Sequence, residues 1–358
     1  MEENRQKVHW FVPIIILIII GFAIFYEWDL GAKLNPEITA YDVIELSEII
    51  NGQIDEGKTK GTFYISGISE DELVKINDYV CSVNGMVDKY VITTKTGKKQ
   101  KITMHYEISD NFYVMDKYLN GTPIPEGKPG ANKLYDKTVE ILDAIIKPGM
   151  TDYEKEVAIH DYIVANCRYG QKDGSKEYAF RAYGVLIHGV AVCNGYAEAM
   201  GLLLTCAGVD NEIITGSANG ELHAWNAVCL DGEWYQVDST WDDPIPDTGE
   251  FVIHTYFNIT DDEMDDTHTW NKDIFVKCEG EKYNYYDYND MVYEYSEIEQ
   301  LMADEASKNI TGTFEFAATD YDASLYTYDF MGNIPGVLSL NHVVNPIGDR
   351  HIIMIELN

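Results

Sequence analysis

Basic residues are scarce in this chain: 26 Lys and Arg stand against 60 Asp and Glu, leaving a net charge of -34 over 358 residues. A phosphate-binding surface needs a basic footprint, so nucleic acid is excluded as a partner. Cysteines number six, too few for a disulfide-dense scaffold at this length. No CxxC pair occurs and no Cys/His cluster has zinc spacing, so neither a metal nor a cofactor is expected. Most of these thiols read as small buried hydrophobes. The acidity reads as a solvated, self-repelling surface. The runs Asp261-Asp262-Glu263 and Asp265-Asp266 are where Ca²⁺ would bind, but EF-hand spacing is absent. What remains is ordinary globular composition, 46% hydrophobic and 24% charged, and length for roughly two or three domains.

Long apolar runs are also few, and one stands out. Residues Trp10–Tyr26 (WFVPIIILIIIGFAIFY) carry no charge, and Trp10, Tyr26 and Trp28 supply interfacial aromatics. The reading is a transmembrane anchor over residues 10–28. A cleaved signal peptide is the alternative, with Gly21-Phe22-Ala23 as its small-x-small site. Arg5 and Lys7 precede the span, which places the N-terminus in the cytoplasm and everything after Trp28 outside the cell membrane.

Beyond the span, the order helix, strand, helix, strand, strand is expected over Ile38–Asn51, Gly61–Ser66, Ser69–Ser82, Lys89–Thr94 and Lys101–Ser109. Ser296–Ala306, Gly312–Ala318, Asp320–Phe330, Val337–Asn341 and His351–Leu357 repeat that order, and both first strands open on Gly-Thr-Phe, at Gly61 and Gly312. The two ends read as copies of one small α+β module. Between them, a Pro/Gly boundary at Gly121–Gly130 leads into helices over Lys133–Lys147, Thr151–Cys167 and Val192–Ala207. Strands follow at Glu212–Thr215, Leu222–Leu230, Glu233–Asp238 and Tyr256–Ile259. Helices first and an antiparallel sheet second make the centre α+β. The acidic, Tyr-rich stretch Gly280–Tyr295 reads as a linker or packed edge. The resulting domains are 1–29, 30–120, 121–275 and 276–358.

Cys193 sits where Gly189-Val190-Ala191 gives way to a helix. There the helix dipole favours a thiolate, the nucleophilic form, and free backbone N–H groups can hold an oxyanion. A nucleophilic thiolate also wants a base held by a third group. Asp231-Gly232 between two strand-like runs signals a two-residue hairpin, pairing Leu230 with Glu233. Extending that register puts His223 opposite Thr240 and diagonal to Asp238 on one face, where a carboxylate can orient an imidazole. Singly, each residue has a structural reading; together they point to chemistry.

The segments AVCNGYAEAMGLLLTCAG and LHAWNAVCLDGEWYQVDSTWDDP resemble the transglutaminase-like superfamily, a papain-like cysteine fold. The shared pattern is Cys-x-Gly-Tyr-Ala, His-x-Trp-Asn, then Trp-Tyr-x-Val-Asp-x-Thr-Trp. HDYIVANCRYG and TYFNITDDEM are similar to its bacterial, membrane-anchored branch. The resemblance covers about residues 151–270. It implies Cys193 as nucleophile, His223 as general base and acid, and Asp238 as the orienting carboxylate. It does not identify an oxyanion helper; Tyr183 and His188 are candidates, while Tyr183, Trp225 and Trp241 are expected to line the substrate cleft. The calcium dependence of animal transglutaminases does not carry over, because their ligand segments are absent. The implied activity is acyl transfer from a peptide or carboxamide bond through a thioester, with water or an amine as acceptor. Its substrate would be a protein or peptide, including cell-wall peptide. The other reading is a non-catalytic binding or structural module at the cell surface.

Overall fold

The computed structural model describes residues 39–42, 45–46, 49–50, 52–53, 58–69, 87–95, 100–170, 178–243, 252–307, 312–322 and 340–357. The apolar segment expected to cross a membrane, residues 10–28, lies outside them. Among the described residues no helix is long and apolar enough to cross a membrane.

Two compact units form. The first comprises residues up to Ile76 together with Tyr90–Tyr106; the second comprises the rest. In the first, β1 (Thr39–Ala40), β2 (Lys60–Ile65), β3 (Val87–Lys95) and β4 (Gln100–Ile108) build one sheet in the order β1-β2-β4-β3. The expected helix over 38–51 is therefore wrong at its start: Thr39 and Ala40 pair in parallel with Tyr64 and Ile65. Asp42 Oδ1 accepts from the Glu45 amide and Glu45 accepts from the Tyr41 amide. Such reciprocal capping ends the extended segment at Tyr41 and opens a helical turn. The helix expected over Ser69–Ser82 falls outside the described residues beyond Ser69.

The second unit begins with a helix that the sequence reading passed over. Ser109 ends a strand and at once caps α1 (Asp110–Asn120), accepting from the Phe112 amide. Gly121, at φ 73°, closes that helix in the left-handed conformation. Then come α2 (Pro129–Ile145) and α3 (Asp152–Asn166), the latter opened by the expected Thr151/Glu154 capping box. The short parallel pair β5 (Arg168–Tyr169) and β6 (Val190–Ala191) leads into α4 (Cys193–Ala207), which ends at Gly208. Helix α4 is apolar nearly all round, and Ala199, Met200, Leu202, Leu203 and Leu204 are fully buried in the main core. A helix without a polar stripe belongs at the centre of a domain.

A five-stranded antiparallel sheet packs beside it. Its strands are β7 (Asn211–Ala218), β8 (Glu221–Leu230), β9 (Glu233–Val237), β10 (Phe257–Ile259) and β11 (His268–Trp270), in the order β10-β9-β8-β7-β11. The β8–β9 hairpin has the expected register, Leu230 opposite Glu233 and Asn226 opposite Val237. Asp231 (φ 52°) and Gly232 (φ 86°) take the two left-handed turn positions. The ladder stops at Val237, so the extrapolated pairing of His223 with Thr240 is not made.

The first of the two acidic runs forms a helix start: Thr260 and Glu263 make a capping box on α5 (Asp261–Met264). The Tyr-rich stretch is a packed edge. It carries α6 (Tyr285–Tyr288), and the ring of Tyr286 is buried. After it come β12 (Val292–Tyr293), α7 (Tyr295–Ser307), β13 (Gly312–Ala318), β14 (Leu340–Ile347) and β15 (Arg350–Leu357). Their sheet has the order β12-β13-β15-β14, with β12 parallel to β13 and the other pairs antiparallel. The strand expected at 337–341 extends to Ile347; Pro346 sits on an edge strand, where a missing N–H breaks no ladder. Residues 323–330 of the expected following helix lie outside the described residues. Ala317, Ile347 and Ile352 of this sheet share a core with Ile214 and Trp225 of the central one and with Met264 of α5.

Candidate active site

Local sequence sets each member in place. Val192, extended, caps α4, so Cys193 is the first helical residue, half-buried at the positive end of the dipole. Gly195 permits this: a Cβ there would lie 2.6 Å from the Ala179 carbonyl oxygen and 2.8 Å from the Ala191 side chain. Glu198, one turn on, is buried and accepts from the Ala182 amide at 3.1 Å, the Arg181 guanidinium at 2.9 Å and the Asn194 amide group at 3.0 Å. It ties the preceding loop to the helix start.

His223, on β8, donates from Nε2 to Asp238 Oδ2 at 2.7 Å. Asp238, immediately after β9, is fully buried, and its Oδ1 accepts from the backbone amides of Thr240 at 2.9 Å and Trp241 at 3.2 Å. Burial works against a charged imidazole at His223, but the Asp238 charge and hydrogen bond, with a further hydrogen bond to Cys193, raise its pKa to about 10. Burial likewise disfavours the Asp238 carboxylate, and His223 and His268 outweigh it, holding the pKa well below the usual carboxylate range. The structure thus pairs His223 with Asp238 by a hydrogen bond, and Cys193 is among the groups that act electrostatically on the same imidazole.

The other nominations divide. Trp241 lines a cleft of about 560 Å³ beside His223, together with Tyr169, Leu222, Val343 and Asn345. Trp225 is not a cleft wall. It is 1% exposed, donates to Gln236 Oε1 at 2.7 Å, and stacks behind His223 with ring centroids 5.8 Å apart. Tyr183 also sits elsewhere: its ring packs between Tyr178 and His188, and it lines a second cavity with Arg181 and Glu198.

Sequence reasoning missed His268. Its Nε2 donates to Asp238 Oδ2 at 3.1 Å, the same oxygen that His223 uses. It also missed that the loop after β9 is held by three acids. Asp238 takes the two imidazoles; Asp242 Oδ2 faces His160 Nε2 at 3.2 Å, and its Oδ1 accepts the Tyr256 amide at 2.9 Å. Asp243 accepts the Tyr196 hydroxyl from α4. The signal was available in DSTWDDP, where acids stand at spacings of four and one, but their partners lie up to 82 residues away. Among the described residues, two groups could hold a metal ion: His223, Asp238 and His268, and His160, Asp161 and His254.

A thiol at a helix start facing an imidazole and carboxylate on an antiparallel sheet defines a papain-like cysteine fold. Residues 139–239, which include all three residues, match the family model described as the transglutaminase-like superfamily. The kyphoscoliosis peptidases of Mus musculus and Homo sapiens are 27% and 28% identical over 155 residues, 37% of this chain. The matched part spans 23% of those relatives' length. Among solved structures, a TGase overlaps 51% of this chain and 51% of its own at 11% identity and TM-score 0.24. The periplasmic domain of TgpA from Pseudomonas aeruginosa overlaps 41% of this chain and 57% of its own at 16% identity and TM-score 0.24.

Proposed function

We propose that this chain is a cysteine acyl-transfer enzyme held at the cell surface by residues 10–28. The observation that carries the reading is the His223–Asp238 pair, 2.7 Å apart with the carboxylate fully buried, together with the half-buried Cys193 at the start of α4, which acts electrostatically on the same imidazole. Cys193 attacks, as the thiolate, the carbonyl carbon of a peptide or carboxamide. The oxyanion that forms is held by N–H groups of the first turn of α4. Collapse of the tetrahedral species breaks the C–N bond, and His223 gives its proton to the departing amine. Because His223 keeps that proton at neutral pH, it begins the cycle as the acid this step needs. A thioester on Cys193 remains. Water resolves it to an acid, or an amine resolves it to a new amide, and His223 takes the acceptor's proton. The shape of the cleft at Tyr169, Trp241 and Val343 selects the acyl donor.

Two measurements test this. Iodoacetamide at neutral pH should alkylate Cys193 much faster than the buried Cys206. A peptide-library cleavage and amine-incorporation screen on the full chain should return turnover that Cys193→Ala abolishes. Slow alkylation with no turnover, or turnover undiminished in Cys193→Ala, would overturn the reading in favour of a binding module. For the anchor, protease added to intact cells should remove the C-terminal region; protection until lysis would refute it.

A further inference from the structure

A second histidine–carboxylate cluster lies beside the catalytic loop and is not used in the chemistry above. His160 and Asp161 are consecutive on α3, and His254 precedes β10. His160 Nδ1 lies 3.2 Å from Asp161 Oδ1, and His254 Nε2 lies 2.9 Å from that same oxygen. One ligand atom from each residue falls within 4.8 Å of the others. Both imidazoles are buried, whereas the Asp161 side chain is 40% exposed and gives a route from solvent. The far nitrogens are held as well: His160 Nε2 faces Asp242 Oδ2 at 3.2 Å, and His254 Nδ1 faces Glu315 Oε1 at 2.5 Å. Glu315 is fixed in turn by the Tyr286 hydroxyl at 2.7 Å and the His254 backbone amide at 3.2 Å.

We propose that His160 Nδ1, Asp161 Oδ1 and His254 Nε2 form a site for a divalent transition metal, Zn²⁺ above all, with Asp242 and Glu315 as the outer carboxylates that orient the two imidazoles. Three protein ligands of N and O type, each histidine backed by a carboxylate on its other nitrogen, is the pattern of zinc coordination. Tetrahedral bonds of about 2.0–2.2 Å require donor separations of roughly 3.3–3.6 Å; the two nitrogen–oxygen separations are 3.2 and 2.9 Å, and the two nitrogens lie within 4.8 Å of each other. Without an ion, both rings meet carboxylates at both nitrogens, and two N–H groups must converge on one Asp161 oxygen. The exposed side of Asp161 leaves a fourth position for water. Asp242 lies on the catalytic loop and Glu315 on β13, so the ion braces that loop and clips the C-terminal sheet to the central domain. The site departs from the expectation that the chain needs no metal. The sequence hid it, because adjacent His-Asp is not a zinc spacing and His254 lies 93 residues beyond Asp161.

The test uses the full chain, purified in mild detergent, stripped with chelator and titrated with Co²⁺ as spectroscopic probe. One Co²⁺ per chain should bind with visible d–d absorption, Zn²⁺ should displace it, and loading should raise the thermal midpoint. His254→Gln should lose the signal, and Glu315→Gln should weaken binding by about 10–100-fold. His223→Gln, which disables the other metal-competent group, should bind as the wild type does. Absence of Co²⁺ absorption in the wild type would overturn the proposal. So would a signal lost in His223→Gln, because the ion would then sit at the catalytic residues. If His254→Gln fails to fold, His223→Gln alone decides.

Discussion

His268 donates from Nε2 to Asp238 at 3.1 Å, from a fully buried ring. The acceptor is the oxygen that also orients His223. Thr267 Oγ1 lies 2.8 Å from the other nitrogen of His268 and fixes its orientation. His268 therefore positions the carboxylate that positions the imidazole. Replacing it with Gln keeps a donor but shortens the reach. The expected result is a roughly 10-fold slower alkylation of Cys193 and a similar fall in kcat, with KM little changed, equivalent to about 1.4 kcal/mol. An unchanged rate with only a lower thermal midpoint would mean that His268 merely packs.

The His223–Asp238 pair has a definite pH window. His223, with an ordinary value of 6.5, is raised to about 10 when folded. Its contribution to stability is fully present below pH 6.5 and is lost as pH climbs toward 10. Asp238 is lowered from 3.8, so its contribution is present above that value and is lost as pH falls through the folded value. Wild type minus His223→Gln, measured by denaturant unfolding across pH, should be flat from about pH 4 to 6.5. It should then decline by at most about 1.4 kcal/mol per pH unit. A difference that grows above pH 6.5 would contradict the ion pair.

Much of this site was legible in the sequence because its clues are local. Asp231-Gly232 set a register that the hairpin keeps, and Gly208 ended α4 where expected. Thr151 and Glu154 announced α3. What escaped has a common cause. Helix α1 was hidden because Ser109 ends a strand and caps a helix in one residue. Trp225 was misplaced because an aromatic in a motif looks like a cleft wall, while a buried Gln236 satisfies its N–H. His268 and Asp242 find partners 30 and 82 residues away, and neither spacing nor periodicity encodes such distances.

The two four-stranded sheets, β1-β2-β4-β3 and β12-β13-β15-β14, have one strand order with a parallel first pair in each. We propose that they descend from one module. An experimental structure should superpose β2, β4 and β3 on β13, β15 and β14 in sequence order, with Gly61 and Gly312 in matching places at the strand starts. A helix entering from opposite faces of the two sheets would refute common descent.

Gly195 explains the glycine of the Cys-x-Gly-Tyr-Ala pattern without reference to chemistry. Any Cβ there meets the Ala179 carbonyl oxygen at 2.6 Å, and that oxygen already accepts from the Val192 amide at 2.9 Å. Neither backbone segment can retreat cheaply. Gly195→Ala should cost about 1–3 kcal/mol of stability and slow Cys193 alkylation together, since the helix start must shift. Gly208→Ala is the control: its Cβ has open space, but φ is 79°, so stability should fall while alkylation holds.

Asp238→Asn separates orientation from packing. The side chain is nearly isosteric, and an amide oxygen can still accept from Thr240 and Trp241. The amide nitrogen, however, is a donor facing the N–H groups of both His223 and His268. One ring must turn its lone pair inward, and for His223 that puts the remaining proton on the nitrogen facing Cys193. The charge that held the imidazolium is also gone, so the His223 value should fall from about 10, as read by NMR titration of the ring. The rate should drop by about 10²–10⁴-fold, because the wrong tautomer dominates. Stability should fall as well, by up to about 3–5 kcal/mol, since the mutation removes one partner of a buried pair. Circular dichroism should still report a folded chain at low temperature. Activity recovered in part at higher pH, where His223 is neutral and can accept the thiol proton, would fit the base role. Wild-type turnover with His223 still titrating near 10 would sink it, because the carboxylate would then have no part in holding the ring.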